Sequence, residues 1–231
     1  MWDDDYYSSL NGKKLGSDGA STTNMRLIDD DKFNGISSAN GGATSAAATT
    51  ELQNSSKIIT VNEAQIQSDV QGVADNSKTS KTEHSVVIVL DRANATISTV
   101  AGPTGTNDQC NVEYYPGKAT GASFHGKPGG SIIIGQVHGH PESTDPNTTT
   151  QRTMSGNDVS GSTSLQIPVY GVDAMSGKVG KPAGIHRANP DGSINNNVGS
   201  TIGTGKYQTT PTINLGRNAM EIWGNSKKPT Y

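Results

Sequence analysis

The sequence predicts an α+β protein with a mixed β-sheet. Three observations lead to this prediction: one convincing amphipathic helix comes first, β-branched apolar runs of strand length follow it, and helices do not alternate regularly with those runs. Regular alternation would instead indicate βαβ units and a parallel sheet. The chain has 231 residues, which is enough for one substantial domain with irregular extensions.

The predicted helix begins near Asn62. This residue is a suitable N-cap, and Gln65 is placed three residues later to complete a capping box. One face then carries apolar residues at helical spacing, namely Ile66, Val70 and Val73. Because the pattern ends near Asn76, we expect a short amphipathic helix that packs on an apolar surface.

Several apolar runs have the length and the β-branched character of strands. They cover residues 85–91, 95–101, 131–138, 165–172 and 185–187. The first two runs are separated by a short turn near Arg92, which predicts a hairpin. The segment between the second and third runs is rich in glycine and proline and is expected to be a loop. One short helix is expected after Ser155.

Residues 1–55 are expected to form a loosely structured leader or linker, and residues 56–231 a functional domain with a C-terminal extension. The leader is acidic and then rich in Ser, Gly, Ala and Thr, and its apolar residues are scattered. Its first residues lack the basic and apolar segments of a secretion signal, so we expect no signal peptide in this chain.

Composition excludes several classes of function. The net charge of −3 argues against nucleic acid as a partner, because phosphate binding needs a concentrated basic surface. No segment approaches the run of about 18 apolar residues that a membrane span requires. Since Cys110 is the single cysteine, a zinc site in this chain must use histidine and carboxylate ligands.

The most informative residues lie in the sequences His138-Gly139-His140-Pro141 and Ser155-Gly156-Asn157-Asp158. Side chains two positions apart on a strand point to the same face, so His138 and His140 are able to converge on one cation. The Ser-x-x-Asp pattern is by itself typical of a helix start, where Ser155 caps the helix. That geometry would also hold Asp158 rigidly, as a third and anionic ligand. Two histidines and one carboxylate with an open position form a known catalytic zinc site.

These motifs resemble the JAMM motif of the JAB/MPN metallopeptidase superfamily, in which a Glu on an early strand precedes His-x-His-Pro and Ser-x-x-Asp. The resemblance covers roughly residues 60–195. It implies that His138, His140 and Asp158 bind Zn²⁺. It also implies that Glu83 handles the activated water and that Ser155 stabilises the oxyanion. The implied fold is the JAB/MPN (cytidine-deaminase-like) fold, a layered mixed sheet flanked by short helices with extended loops.

The spacing differs from the family pattern at one point. Residues 141–154 separate the second histidine from the serine, where the family has about half that length, so a loop is inserted here. Glu142 and Asp145 in this insertion are therefore rival third ligands. Glu63 and Glu113 are alternatives to Glu83. The other three histidines, namely His84, His125 and His186, have no partner at ligand spacing and are expected on the surface or in hydrogen-bonded loops.

The resemblance is closest to JAB-like domains at the C-termini of bacterial Rhs-type polymorphic toxins. It implies a zinc-dependent peptidase or isopeptidase that acts as a toxin or self-processing module. Such a module would be secreted or delivered into a target cell as part of a larger effector. Its expected partners are a peptide or protein substrate and a cognate immunity protein. The alternatives are a non-catalytic MPN-like interaction domain and a metal-dependent hydrolase of another bond.

Overall fold

The fold is α+β, as the sequence predicts, and the described residues form two mixed sheets. The computed structural model describes residues 3–102, 104–106, 130–142, 144, 153–175, 178–203 and 212–227. The strands are β1 (Asp5–Ser8), β2 (Lys14–Ser17), β3 (Met25–Ile28), β4 (Lys57–Ile58), β5 (Thr60–Val61), β6 (Ser85–Asp91), β7 (Thr96–Ala101), β8 (Ser131–Gly139), β9 (Val169–Val172), β10 (Gly184–Ala188) and β11 (Ile194–Ser200). The helices are α1 (Asp30–Ala39), α2 (Ala46–Ser55), α3 (Glu63–Ser80), α4 (Gly156–Leu165) and α5 (Leu215–Asn225).

The main sheet has seven strands in the order β11-β10-β9-β8-β6-β7-β5. Strand β8 lies inside it, antiparallel to β6 and parallel to β9. The predicted hairpin is confirmed, since β6 and β7 pair antiparallel. Helices α3 and α5 contact the sheet at β8 and β6, whereas α4 contacts β9 and β10.

A Cβ atom on Gly139 would meet Ser77 of α3, whereas one on Gly171 would meet His140. The two glycines therefore face opposite sides of the sheet.

The predicted leader is in fact folded. Residues 3–58 contain a four-stranded sheet in the order β2-β1-β3-β4, with α1 and α2 packed together beside it. Successive residues of β1 face opposite sides: Tyr6 packs with Phe33 in a small separate core, and Tyr7 joins the main core. The prediction of a loosely structured segment is wrong because each strand has four residues or fewer, too few to show a period in the sequence. The division of the chain at residue 55 stays a prediction.

Two buried carboxylates connect the strands of this first sheet. Asp4 is fully buried and accepts hydrogen bonds from Thr22 Oγ1 at 2.6 Å and from Arg26 Nε at 2.5 Å. Burial raises the pKa of Asp4, but these hydrogen bonds outweigh burial and hold the pKa below its usual value. The buried Asp18 accepts the Asp4 amide and the Tyr6 hydroxyl in turn. Paired polar groups thus allow acidic residues to lie inside this fold.

Other boundaries also differ from the sequence predictions. The helix at Asn62 exists but extends to Ser80, and Asn62 makes no side-chain cap hydrogen bond. Gln65 is not part of a capping box, because its amide donates to Asp69 at 2.7 Å. The run that begins at Leu165 is not all strand, because Leu165 ends α4 and β9 begins at Val169. Strand β11 was not predicted, since its first four residues are exposed and three of them are asparagine.

We expect Asp4→Asn to lower the free energy of unfolding by about 3 kcal/mol, because it leaves the buried Arg26 guanidinium without its carboxylate. The measurement is urea denaturation at pH 7. The control is Asp31→Asn, which removes the same charge from an exposed position in α1 and is expected to change stability by less than about 1 kcal/mol. Equal losses in both variants would contradict a structural role for the Asp4–Arg26 pair.

Candidate metal centre

Strand pairing brings the predicted site residues to one face of the main sheet. His138 lies opposite Ser85 of β6 and beside Gly171 of β9. The pairing continues past the strand ends, because the Gly139 amide donates to the His84 carbonyl at 3.0 Å. One further step along the antiparallel pair sets Glu83 opposite His140. Because alternate residues share a face, Glu83, His138 and His140 all lie on the side that α4 covers.

Helix α4 supplies the carboxylate. Ser155 caps this helix through a complete capping box: its hydroxyl accepts the Asp158 amide at 3.2 Å, and Asp158 Oδ2 accepts the Ser155 amide at 2.6 Å. The helix-start reading of the motif is therefore confirmed. Capping leaves Asp158 Oδ1 directed at the sheet, 3.1 Å from His138 Nε2. The same interaction that starts the helix thus fixes the third group of the site.

His138, His140 and Asp158 form a group that could bind a metal ion. The two Nε2 atoms are 2.9 Å apart, and Asp158 Oδ2 is 3.7 Å from His140 Nε2. Three donor atoms of the kind that zinc prefers thus converge on one point. The histidine side chains are each 3% exposed and the aspartate side chain 13%. Two imidazole nitrogens and one carboxylate oxygen therefore suit a divalent ion in both chemistry and placement.

The protonation of the three groups is coupled. Burial lowers the pKa of His138, but the neighbouring Asp158 carboxylate and the charge on Glu83 outweigh it and raise the pKa to about 9. Burial and the charge on His138 lower the pKa of His140. Burial would raise the pKa of Asp158, but the two histidines hold it well below its usual range. A divalent cation would compete with the protons on these groups, because only deprotonated groups bind metal.

Two glycines make room for neighbouring side chains, and one of these side chains is the His140 ring. A Cβ atom on Gly171 would overlap the Cε1 atom of His140 and lie 2.9 Å from Met154 Sδ. A Cβ atom on Gly139 would overlap the Ser77 side chain on the opposite face, where α3 packs. Both positions therefore need glycine because a neighbouring side chain occupies the space.

The structure shows where the other candidate ligands and catalytic carboxylates lie. Glu142 lies away from the group, because its exposed side chain pairs with Lys81 at 3.0 Å. Glu63 is also excluded as the catalytic carboxylate, since it accepts the amides of Leu215 and Gly216 at the start of α5. Asp145, Glu113 and His125 lie outside the described residues. Glu83 is buried, and its charge acts on His138.

Sequence reasoning missed Asp173 and His186. His186 is not on the surface or in a loop: it is buried on β10, with Nε2 3.2 Å from Asp173 Oδ2. Their spacing of 13 residues gives no ligand pattern, and only the pairing of β9 with β10 brings them together. Both residues lie on the face that carries the histidine pair, since His186 pairs with Gly171.

Comparisons with protein-family models, with curated proteins and with solved structures gave no match to this chain. In the described part of the chain, no helix combines the length and the apolar character that crossing a bilayer requires.

Asp158→Asn tests the ligand set. We expect it to lower the affinity for Zn²⁺ by more than the 10–100-fold that is typical for loss of an outer partner of a ligand. Competition with a chromogenic chelator measures this affinity. The control is Glu142→Gln, which changes a rival carboxylate and should leave affinity unchanged. The ligand assignment would be wrong if Glu142→Gln weakened binding and Asp158→Asn did not.

Gly171→Ala tests the space above β9. The added methyl group would displace the His140 ring, so we expect zinc affinity to fall at least about 10-fold and stability to fall by about 1–3 kcal/mol. Gly72→Ala in α3 is the matched control, because a Cβ atom there has no neighbour within 4 Å. The control should gain up to about 1 kcal/mol from helix propensity. Unchanged zinc binding in Gly171→Ala would contradict the ring placement.

Proposed function

We propose that this chain is a zinc-dependent peptidase or isopeptidase of the JAMM type, which hydrolyses an amide bond with an activated water molecule. The observation that carries the proposal is the convergence of His138, His140 and Asp158 beside the buried carboxylate of Glu83. A non-catalytic interaction domain would not need three donor groups brought together under a helix. The resemblance of the motifs to the JAB/MPN superfamily supports the same reaction and the same fold.

Zinc is the metal that we propose. The donor set of two imidazoles and one carboxylate matches catalytic zinc sites, which keep one position open. When bound, zinc supplies a Lewis acid that lowers the pKa of a water molecule and polarises a carbonyl group.

Glu83 is the proposed general base and acid. Glu83 lies two residues before β6, opposite His140 and on the face of the sheet that carries the histidine pair. There it would accept a proton from the attacking water and return it to the leaving amine. Burial of Glu83 suits this role, since a carboxylate shielded from bulk water has fewer competing partners.

Ser155 is the proposed oxyanion donor. Its hydroxyl oxygen accepts the Asp158 amide, so the hydroxyl proton can be donated to a substrate oxygen on which negative charge develops. The N-terminal end of α4 adds favourable dipole potential at the same place. Substrate binding between α4 and the Glu83 side of the sheet would use both residues together.

The biological setting follows from the resemblance alone. We propose that the chain serves as the toxin or self-processing module of a secreted bacterial polymorphic toxin. In that setting, a peptide or protein would be the substrate and a cognate immunity protein a further partner.

Glu83→Gln tests the catalytic assignment. We expect it to lower peptide cleavage by about 10²–10⁴-fold, because the base is lost, while zinc affinity stays within about threefold of the unsubstituted protein. The substrate is a proteome-derived peptide library, with cleavage sites read by mass spectrometry and with a chelator-treated sample beside it. Cleavage by Glu83→Gln at the original rate would refute the role of Glu83. Cleavage of nucleic acid and not of peptides would favour the hydrolase of another bond.

Ser155→Ala separates the capping role of this serine from its proposed chemical role. Loss of the cap should cost about 1 kcal/mol of stability, and loss of the donor about 10²–10³-fold in cleavage rate. Ser45→Ala is the control, because Ser45 caps α2 in the same way through the Ala48 amide at 3.1 Å. Equal activity of the two variants would remove Ser155 from the reaction.

A further inference from the structure

Each histidine of the metal group has one ring nitrogen without a hydrogen-bond partner among the described residues. The Nδ1 atoms of His138 and His140 are buried and have no hydrogen-bond partner among the described residues. A metal-ligating histidine usually donates its second N–H to a carboxylate, a carbonyl or water, and this outer partner sets the ring orientation and the tautomer. The neighbourhood of each ring therefore identifies candidates for such a partner.

The sheet places Asp173 beside His140. The His140 amide donates to the Val172 carbonyl at 2.7 Å, and the Asp173 amide donates to the Gly184 carbonyl at 2.9 Å. These bonds extend the pairing of β8 with β9 and of β9 with β10 by one residue, so His140, Asp173 and Gly184 form one row. Since Gly184 has no side chain, the Asp173 carboxylate lies over it: a Cβ atom there would be 3.3 Å from Oδ2.

His186 holds the Asp173 carboxylate from the far side. The two side chains are 3.2 Å apart, and they are 4% and 19% exposed. The other nitrogen of His186 lies 3.1 Å from Asn196 Oδ1, which accepts the Thr153 hydroxyl at 2.6 Å. Asp173 is thus fixed between the sheet and the segment that leads into α4.

The two Nε2 atoms of the histidine pair constrain the proton positions. At 2.9 Å they cannot both carry a proton that points at the other. As a metal ligand, His140 would keep the electron pair of Nε2 for the cation. A neutral His140 with a free electron pair on Nε2 carries its proton on Nδ1, which requires an acceptor. Asp173 lies beside His140 on the β9 side, and Glu83 lies opposite His140 on the β6 side, so the two carboxylates flank the pair from opposite sides.

We propose that Asp173 is a positioning residue for His140, with its carboxylate accepting the Nδ1–H proton of the ring while His186 holds that carboxylate in place. The arrangement keeps the Nε2 electron pair directed at the metal position. It deepens the proposed function and rests on it, because it assigns an outer partner to one of the three proposed ligands.

Zinc affinity and histidine tautomers test this proposal together. We expect Asp173→Asn to lower Zn²⁺ affinity by about 10–100-fold in chelator competition. We also expect His186→Phe to lower Zn²⁺ affinity. His186→Gln, which keeps an N–H donor for Asp173, should retain most of the affinity of the unsubstituted protein. In zinc-free protein, ¹⁵N NMR of the imidazoles should find His140 protonated on Nδ1, and Asp173→Asn should shift that ring toward the Nε2–H tautomer. Asp31→Asn is the charge-matched control for both readouts.

The outcomes distinguish a failure of the proposed function from a failure of the positioning role of Asp173. If the unsubstituted protein binds no zinc, the proposed function itself fails. If it binds zinc and Asp173→Asn binds equally well with an unchanged His140 tautomer, the positioning role is refuted and the metal site stands. A reduced cleavage rate in Asp173→Asn with unchanged zinc affinity would also refute it, because it would make Asp173 a participant in proton transfer.

Discussion

Strand β8 is hydrogen-bonded along both edges, antiparallel to β6 and parallel to β9, and this pairing sets the position of every side chain at the candidate site. A shift of one residue in either register would turn the histidines toward α3 and bury them against Ser77 and Val73. The same pairing places the apolar residues of β8 in the core on both sides of the sheet. The core and the metal group are therefore specified by the same pairing.

The start of α4 completes the group by using one carboxylate for two purposes. Asp158 Oδ2 accepts the Ser155 amide, and Oδ1 lies against His138. Desolvation of a lone carboxylate at this depth would be costly, and the cap and the neighbouring imidazole offset that cost. Capping thus holds the Asp158 carboxylate rigidly and keeps it close to the sheet.

Much of the site could be predicted from sequence because its residues lie in local patterns. His-x-His at the end of an apolar strand and Ser-x-x-Asp at a helix start each determine geometry over a few residues, and the structure brings these two patterns together. Asp173 and His186 carry no local pattern, since only the pairing of three strands makes them neighbours. The third ligand was open among Asp158, Glu142 and Asp145 for the same reason: sequence does not show which of these carboxylates the fold brings to the histidines. Of the two rivals, the structure excludes Glu142, and Asp145 lies outside the described residues.

The strands that the sequence predicted and those that it missed also differ in a physical way. The long β-branched runs of β6 and β8 predicted strands correctly, because burial on both faces leaves an unbroken apolar signal. The first sheet was missed because its strands are short and because its interior contains Asp4, Asp18 and Arg26, which sequence alone cannot show to be paired with other buried groups. Strand β11 was missed because an exposed edge strand needs no apolar residues.

X-ray absorption at the zinc edge, on protein loaded with one equivalent of Zn²⁺, tests the central claim most directly. The account predicts a first shell of nitrogen and oxygen at about 2.0–2.1 Å, with multiple-scattering features of two imidazoles. His138→Ala should remove one imidazole or abolish zinc retention. A shell of water oxygens alone, or two imidazole features that persist in His138→Ala, would contradict the account.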